Sequence, residues 1–296
     1  MRPVRLERRW RVNDDPHIYR LELNLPNLRE IKLHLDLTES VQREVAAALK
    51  SGMMFDPELG WFLLRVLRPG DVFYDVGANF GFFSLLAAAA VGPEGRVNAF
   101  EPGAASLDAL RVNRDRNAAH EIEIVPKAVA ERPGRVFYSD NGEGDRNGAI
   151  FPQDPGAGSG VEAITLDGFL TGTGRVPKVV KLDIEGAELL ALRGAGRLLA
   201  EPALEFVVCE INAPRLRAMG CDPDDILHLL TAAGFTPFLM ADMGERPVFV
   251  PPGTQILSKF VFNMLFARVD RLARYWPEIR FESAIERHER AARRGV

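Results

Sequence analysis

Acidic side chains follow two of the strands that the sequence predicts, at the point where each strand ends. Asp183 comes directly after the run KVVKL, Glu185 lies in the next turn, and Glu210 closes the run FVVC. The carboxyl ends of parallel strands meet at one edge of a sheet, where open α/β sheets bind their ligands. A carboxylate at that edge can hold a hydroxyl group and take its proton. Asp183, Glu185 and Glu210 are therefore the candidate catalytic residues, with Lys181 as a partial counter-charge.

Acids in this position also have a purely structural explanation. A carboxylate in the first turn of a helix stabilises the helix dipole by about 0.3–1 kcal/mol without any catalytic role. We assign that explanation to Glu188, which lies inside the helix predicted after Asp183. Magnesium favours oxygen ligands, so a divalent ion bridging the strand-end acids is conceivable, although nothing in the sequence demands a metal.

A glycine-containing turn, DVGANFGFF, joins an earlier strand to an alanine-rich helix. Gly77 and Gly81 permit a close approach by a ligand, and free backbone N–H groups at the helix start are donors for it. Glu101 ends the next strand, where an acid can accept both hydroxyl groups of a ribose. The glycine turn together with the acid on the second strand predicts a nucleotide-like ligand.

Two cofactor classes compete for this turn, namely dinucleotides and S-adenosylmethionine. A pyrophosphate requires the spacing G-x-G-x-x-G, whereas three residues separate Gly77 from Gly81 here. The carboxylate of Asp75 at the front of the turn would repel phosphates and suits a ligand with a cationic amino group and a sulfonium. The pattern favours S-adenosylmethionine. The alternatives are an NAD(P)-dependent oxidoreductase and a non-catalytic module that binds S-adenosylmethionine.

The surrounding elements predict an α/β fold. From residue 71 onward, near-continuous apolar strands alternate with helices, which indicates a mostly parallel sheet covered on both faces. The segment EIEIVPKAV is expected as one strand, residues 139–160 as a loop or lid, and FTPFLM and KFVFNMLFAR as an antiparallel pair at one edge. Strand-like segments and two helices, the first with Thr38 as N-cap, precede the sheet. A charged helix is predicted from Arg271 to Arg294.

Five segments in order resemble the FkbM family of S-adenosylmethionine-dependent methyltransferases, and KLDIEGAE within the fourth is the most specific. They are PGDVFYDVGANFGFFSLLAA, NAFEP, ITLDGFL, VVKLDIEGAELLALRGA and VVCEI. The resemblance implies a class I methyltransferase (Rossmann-like) fold and methyl transfer to a hydroxyl oxygen of a small molecule, sugar or natural product. The resemblance runs from about Pro57 to Phe266, so we expect a methyltransferase domain (57–268) between an N-terminal extension (1–56), which would cap the substrate or form an oligomer contact, and a charged C-terminal helix (269–296).

Carried over by position, the resemblance implies which residues contact the cofactor. The glycine turn would hold the methionine part, Glu101 the ribose, and the residues after the third strand the adenine. The residues so implied are Asp75, Gly77, Ala78, Asn79, Gly81, Phe82, Phe83, Glu101, Pro102, Ala128 and Val129. Because aromatic residues at helix starts are more often part of the core, we expect at least one of Phe80, Phe82 and Phe83 to be core.

Composition limits the partners. The 296 residues carry a net charge of −4, whereas a nucleic-acid-binding protein needs a basic surface. Two cysteines are too few for a disulfide framework, and the apolar stretches near the termini are too short to span a membrane. We expect a cytoplasmic enzyme with a small-molecule or glycan acceptor, and the arginine-rich C-terminal segment as a solvated helix or a homodimer contact.

Overall fold

The computed structural model describes most of the chain. It covers residues 7–12, 18–25, 27–139, 148–151, 159–241, 245–258 and 260–277. The strands are β1 (Glu7–Val12), β2 (Ile18–Asn24), β3 (Ile31–Asp36), β4 (Val72–Val76), β5 (Arg96–Phe100), β6 (Ile122–Val125), β7 (Ala128–Val129), β8 (Gly134–Ser139), β9 (Ala149–Phe151), β10 (Ser159–Ile164), β11 (Val179–Leu182), β12 (Phe206–Ile211), β13 (Thr236–Leu239), β14 (Val248–Phe249) and β15 (Phe262–Ala267). The helices are α1 (Ser40–Ser51), α2 (Pro57–Val66), α3 (Phe82–Val91), α4 (Ala104–Arg116), α5 (Leu166–Thr173), α6 (Glu188–Arg193), α7 (Gly196–Ala200), α8 (Ala213–Ala218), α9 (Pro223–Ala232) and α10 (Val269–Leu272).

An eight-stranded sheet in the order β14-β13-β15-β12-β11-β4-β5-β6 forms the centre of the fold. Strands β12, β11, β4, β5 and β6 are parallel, whereas β15 joins β12 antiparallel and β13 joins β15 antiparallel. Successive residues of β4 face opposite sides, since Phe73 packs in one hydrophobic cluster and Tyr74 in another. The mostly parallel α/β sheet, covered on both faces and closed by antiparallel edge strands, is confirmed.

The segment EIEIVPKAV is not one strand, and this expectation is wrong. Strand β6 ends at Val125, and Ala128 and Val129 pair with β10 in a second sheet of order β7-β10-β8-β9. Pro126 separates the two strands, because proline has no N–H group to donate to the ladder. The interval 139–160 is also not loop throughout, since it contains β9 and the start of β10. Its residues 140–147 and 152–158, and with them the lid interpretation, lie outside the described residues.

The N-terminal extension forms an antiparallel sheet of β1, β2 and β3. Alternate residues of β3 are buried, as the period-two pattern predicts. The predicted N-cap is wrong, because α1 begins after Glu39 while Thr38 donates through both N–H and Oγ1 to Asp36 Oδ1. The predicted helix end is confirmed, with Gly52 in the left-handed conformation (φ 95°).

Asn113 on α4 connects this extension to the glycine turn. Its Oδ1 accepts from the backbone N–H of His34 at 2.7 Å, and its Nδ2 donates to the carbonyl of Phe80 at 3.0 Å. At the other end of the chain, α10 is followed by Trp276, which is buried and stacks on Phe62. Most of the predicted C-terminal helix lies outside the described residues.

Candidate active site

The glycine turn follows β4 and has three residues with positive φ: Gly77 (81°), Asn79 (49°) and Gly81 (91°). A Cβ atom on Gly77 would lie 1.8 Å from the carbonyl oxygen of Asp183. The close approach that this glycine permits is therefore that of the neighbouring chain segment after β11. A Cβ atom on Gly81 would lie 2.4 Å from Leu110 Cδ1, the end of a flexible side chain, so the positive φ of 91° is the stronger reason for glycine at this position.

The N–H groups of the turn mostly donate within the protein. Those of Gly77 and Ala78 donate to the carbonyl of Phe100 at 3.0 Å, and that of Gly81 donates to Ala78 at 2.9 Å. The N–H group of Asn79 donates to Glu101 Oε2 at 2.8 Å. The turn therefore does not present these four donors to a phosphate, and the expectation of free N–H groups at the start of α3 stays a prediction.

A pocket of about 240 Å³ opens beside this turn, at the carboxyl ends of the parallel strands. Most residues that the sequence assigns to cofactor binding line it, namely Gly77, Ala78, Asn79, Phe82, Phe83, Glu101, Pro102, Ala128 and Val129. Phe80, Phe82 and Phe83 all line the pocket, and all three are also buried in the hydrophobic core. Asp75 and Gly81 are not among the lining residues.

Glu101 is the buried acid of the pocket. Its Oε2 accepts from Asn79, and its Oε1 accepts from the N–H group of Gly103 at 2.8 Å. Each carboxylate oxygen has a second lone pair, so both can still accept a ligand hydroxyl. Burial raises the pKa of Glu101 to about 7, against the lowering effect of these two backbone donors.

Asp75 lies behind the pocket wall. Its carboxylate is fully buried, accepts a hydrogen bond from Ser84 Oγ at 2.6 Å and lies 3.1 Å from Lys181 Nζ. The structure thus differs from the expectation that Asp75 faces a cationic ligand, because two internal partners occupy its oxygens. Asp75 therefore stabilises the glycine turn through its buried contacts with Ser84 and Lys181.

Lys181 joins the two halves of the site. Its buried ammonium group donates to the Gly77 carbonyl at 3.0 Å and also lies 3.3 Å from Asp183 Oδ2. Burial alone would lower the pKa of Lys181, but the nearby carboxylates of Asp75 and Asp183 outweigh it and raise the pKa. Lys181 therefore stays protonated and is a counter-charge for both acids, as its strand position predicts.

The structure brings the three candidate catalytic acids to the same pocket, since Asp183, Glu185 and Glu210 all line it. Glu185 has positive φ (56°) and lies 3.6 Å from Nε of Arg215. Burial, followed by the charge of Asp183, raises the pKa of Glu210 well above its usual range. Oε2 of Glu210 is buried without a hydrogen-bond partner among the described residues, so this carboxyl is open to a ligand.

Seven lining residues from outside the parallel sheet are not singled out by any sequence pattern. These residues are Val41, Glu44, Phe55 and Asp56 from the extension, Tyr138 and Ile150 from the second sheet, and Gly148 just before β9. Asp56 precedes Pro57 and so resembles an ordinary helix N-cap in the sequence. Its side chain instead accepts from Asn263 Nδ2 at 2.8 Å. Burial, then the adjacent Glu58, raises the pKa of Asp56 to about 8.

The described residues also limit metal and membrane interpretations. Among them, no group of three or more His, Cys, Asp and Glu side chains is arranged to hold a metal ion. No helix in the described part of the chain is both long and apolar enough to cross a bilayer.

Comparison with known proteins gives a family match that includes most of the residues lining the pocket, but not those of the extension. The family model of the methyltransferase FkbM domain matches residues 75–237. The hexuronic acid methyltransferase AglP of Haloferax volcanii is 32% identical over 184 residues, which cover 58% of this chain and 66% of that protein. The 31-O-demethyl-FK506 methyltransferase FkbM of Streptomyces tacrolimicus is 51% identical over 79 residues, covering 25% of this chain and 29% of that protein. The matches thus span less than two thirds of each relative.

Two of the solved structures that this chain matches have low sequence identity and TM-scores below 0.5. The methyltransferase FkbM from Methylobacillus flagellatus KT is 17% identical with a TM-score of 0.44, covering 76% of this chain and 59% of that chain. Aeropyrum pernix fibrillarin in complex with natively bound S-adenosyl-L-methionine is 13% identical with a TM-score of 0.41, covering 88% of this chain and 99% of that chain.

Proposed function

The chain belongs to the FkbM family of methyltransferases, whose model matches more than half of it, and on this premise we propose a specific activity. The protein transfers a methyl group from S-adenosylmethionine to a hydroxyl oxygen of a small molecule or sugar. Support for the acceptor class comes from the relatives, of which one is a hexuronic acid methyltransferase and the other a 31-O-demethyl-FK506 methyltransferase.

The observation that carries this proposal is the placement of Glu101 in the pocket beside a turn in which the N–H groups of Gly77, Ala78, Asn79 and Gly81 donate within the protein. The free lone pairs of Glu101 fit the two hydroxyl groups of a ribose. A pyrophosphate needs several free N–H donors, which the turn residues Gly77, Ala78 and Gly81 do not offer. The geometry thus supports S-adenosylmethionine over NAD(P).

The charges around the pocket favour the same cofactor. Six lining residues are acids: Glu44, Asp56, Glu101, Asp183, Glu185 and Glu210. The two lining lysines are engaged, since Lys127 pairs with Glu162 at 2.5 Å and Lys181 with Asp75 and Asp183. The ionised members of this set attract a sulfonium and an ammonium and repel phosphates, although the raised pKa values of Asp56, Glu101 and Glu210 leave part of these three side chains uncharged near neutral pH.

The chain's own residues would then align the reactants. Bound S-adenosylmethionine supplies a methyl group that its positive sulfonium has already activated. Alignment of two reactants can lower a barrier by about 7–11 kcal/mol. The acids that line this rim of the pocket hold the acceptor hydroxyl, and a carboxylate among them receives its proton. Lys181 contacts both Asp183 and the Gly77 carbonyl, and so fixes the position of Asp183 relative to the glycine turn. The acceptor end and the cofactor end of the pocket therefore keep a constant distance and orientation.

Binding and transfer measurements test this function. Titration calorimetry should show binding of S-adenosylhomocysteine and none of NAD or NADP. Radiolabelled S-adenosylmethionine, incubated with a panel of sugars, activated sugars and hydroxylated metabolites, should transfer label to a hydroxylated acceptor. Tight NAD binding without S-adenosylhomocysteine binding would favour the oxidoreductase alternative. Cofactor binding without transfer to any acceptor would favour the non-catalytic module.

A further inference from the structure

Asp56 occupies the N-cap position of α2 but does not cap it. Aspartate there normally accepts hydrogen bonds from the first helical N–H groups. Asp56 instead has left-handed backbone angles (φ 45°, ψ 65°), and its side chain makes no capping hydrogen bond. A non-glycine residue in this conformation is strained, and such strain persists only where the surroundings impose it. The side chain of Asp56 is thus held away from the helix and lines the pocket.

Two contacts impose this conformation. The preceding residue, Phe55, packs against Phe82 and Phe83 of the pocket wall, with ring centroids 5.8 and 6.3 Å apart. The amide of Asn263 donates to Asp56 Oδ2 at 2.8 Å. Asn263 is itself the ladder partner of Glu210 across β12 and β15. Asp56 is therefore fixed at the same rim as the acids that follow the parallel strands.

Asp56 differs from two of those acids in its neighbours. Asp183 has Lys181 at 3.3 Å and Glu185 has Arg215 at 3.6 Å, and a nearby cation makes a carboxylate a weaker base. The charged groups with the largest effect on the pKa of Asp56 are both acids, namely Glu58 from α2, whose side chain also hydrogen-bonds with Asp56, and Asp183 from the turn after β11. Burial and Glu58 raise the pKa of Asp56 to about 8. A general base works best when its pKa lies near the pH at which the enzyme operates.

We propose that Asp56 binds the reacting hydroxyl group of the acceptor and accepts its proton, with Asn263 as the positioning residue. This rests on the proposed function. In the step, the acceptor oxygen bonds to the methyl carbon as the carbon–sulfur bond breaks, and the electron pair of that bond stays on sulfur. The hydroxyl proton passes to the ionised Asp56 carboxylate and then to solvent. The N-terminal extension thereby contributes a catalytic residue to the sheet that binds the cofactor.

Asp56→Asn tests the proposal, with Asp108→Asn on the exposed face of α4 as the matched control. Using the acceptor found in the radiolabel panel, kcat should fall by about 10²–10⁴-fold in Asp56→Asn, the range typical of a lost general base. S-adenosylhomocysteine affinity by calorimetry should stay at the wild-type value in both variants. A wild-type kcat in Asp56→Asn would overturn the role of Asp56 and leave the proposed function of the protein unaffected. Absence of S-adenosylhomocysteine binding in the wild type would overturn the proposed function and this role together.

The pH profile separates a base from a structural residue. Because the ionised form is active, wild-type kcat/KM should rise with pH around the Asp56 pKa of about 8, and Asp56→Asn should lack this limb. In Asn263→Ala the limb should move to higher pH, since the Asn263 hydrogen bond lowers the pKa of Asp56. That variant also carries the test if Asp56→Asn does not fold. A limb that persists in Asp56→Asn and disappears in Glu210→Gln would assign the base to Glu210 and overturn the proposal.

Discussion

The ammonium group of Lys181 lies 3.1 Å from the carboxylate of Asp75, and both side chains are almost completely buried beneath the glycine turn. Removing one member of a buried ion pair leaves the other charge without compensation, which costs far more than losing the attraction itself. The pair therefore holds the turn in place before any ligand binds.

Lys181→Met should destabilise the protein by about 3–5 kcal/mol, because Asp75 would remain buried without its counter-charge. Lys127→Met is the matched control, since Lys127 pairs with Glu162 where both side chains are partly exposed. A pair of that kind contributes about 0–1 kcal/mol. Urea unfolding at constant pH measures both variants. An equal loss of unfolding free energy in the two variants would show that the buried pair of Lys181 and Asp75 stabilises the protein no more than the exposed pair does.

Glu101→Gln should weaken binding of S-adenosylhomocysteine by about tenfold or more, because hydrogen bonds to a charged group contribute about 1.5–3 kcal/mol. The replacement retains the volume and one acceptor oxygen for the backbone N–H groups. Titration calorimetry measures the affinity, and Glu123→Gln, which loses the acid bonded to Asn98, is the control. Unchanged affinity in a folded Glu101→Gln variant would refute the ribose assignment.

The raised pKa of Glu101 also predicts a pH dependence of cofactor binding. Ribose hydroxyls donate to the ionised carboxylate, while burial keeps part of the population protonated near the pKa of about 7. Affinity should therefore fall as the pH drops below about 7 and be flat above it. Binding near neutral pH should release protons, visible as a dependence of the calorimetric heat on the ionisation enthalpy of the buffer. In Glu101→Gln this proton release should be absent.

Asp183→Asn should reduce turnover by about 10²–10⁴-fold if Asp183 anchors the acceptor hydroxyl or takes its proton. The fold should survive, because Lys181 keeps Asp75 as its partner. Cofactor affinity should change much less, since Glu101 lies elsewhere on the wall. Single-turnover rates and thermal melts on one preparation check this. Near-normal turnover would reduce Asp183 to a positioning role and leave the chemistry to Asp56 and Glu210.

Residues on regular strands and turns could be predicted from the sequence. Each of Glu101, Asp183 and Glu210 follows a short apolar run that is typical of a buried strand. The carboxyl ends of parallel strands meet at one edge of the sheet, so the three acids can be placed there from the sequence. The position of Asp56 could not be predicted in this way. Its orientation depends on Asn263, which is 207 positions away in the chain, and on a strained backbone that overrides its ordinary N-cap preference.

The functions of two predicted residues changed for a related reason. The sequence indicates that Gly77 and Asp75 matter, but not what approaches them. In the structure the Asp183 carbonyl fills the space above Gly77, and Lys181 neutralises Asp75. Both partners come from the segment around β11, which is distant in sequence and adjacent only once the parallel sheet has formed. Local pattern cannot distinguish such internal partners from a ligand.

Glu188 provides a test of the structural explanation for acids at helix starts. Its Oε1 accepts from the N–H groups of Ile184 and Gly186, at 2.9 and 3.2 Å, and so stabilises the turn before α6. Burial raises the pKa of Glu188 from 4.5 to about 7. Between these pH values the folded protein binds a proton that the unfolded chain has released, so Glu188 makes the unfolding free energy fall as the pH rises.

Glu188→Gln keeps an oxygen acceptor for the two backbone N–H groups and cannot ionise. Urea unfolding at pH 5 and pH 8 should therefore show a smaller loss of stability with rising pH than in the wild type, because the contribution of Glu188 between about 4.5 and 7 is removed. Glu94→Gln, at an exposed position before β5, should keep the wild-type dependence. S-adenosylhomocysteine affinity should be the same in both variants, because Glu188 does not line the pocket. A Glu188→Gln variant with wild-type pH dependence but impaired turnover would instead give this acid a part in the reaction.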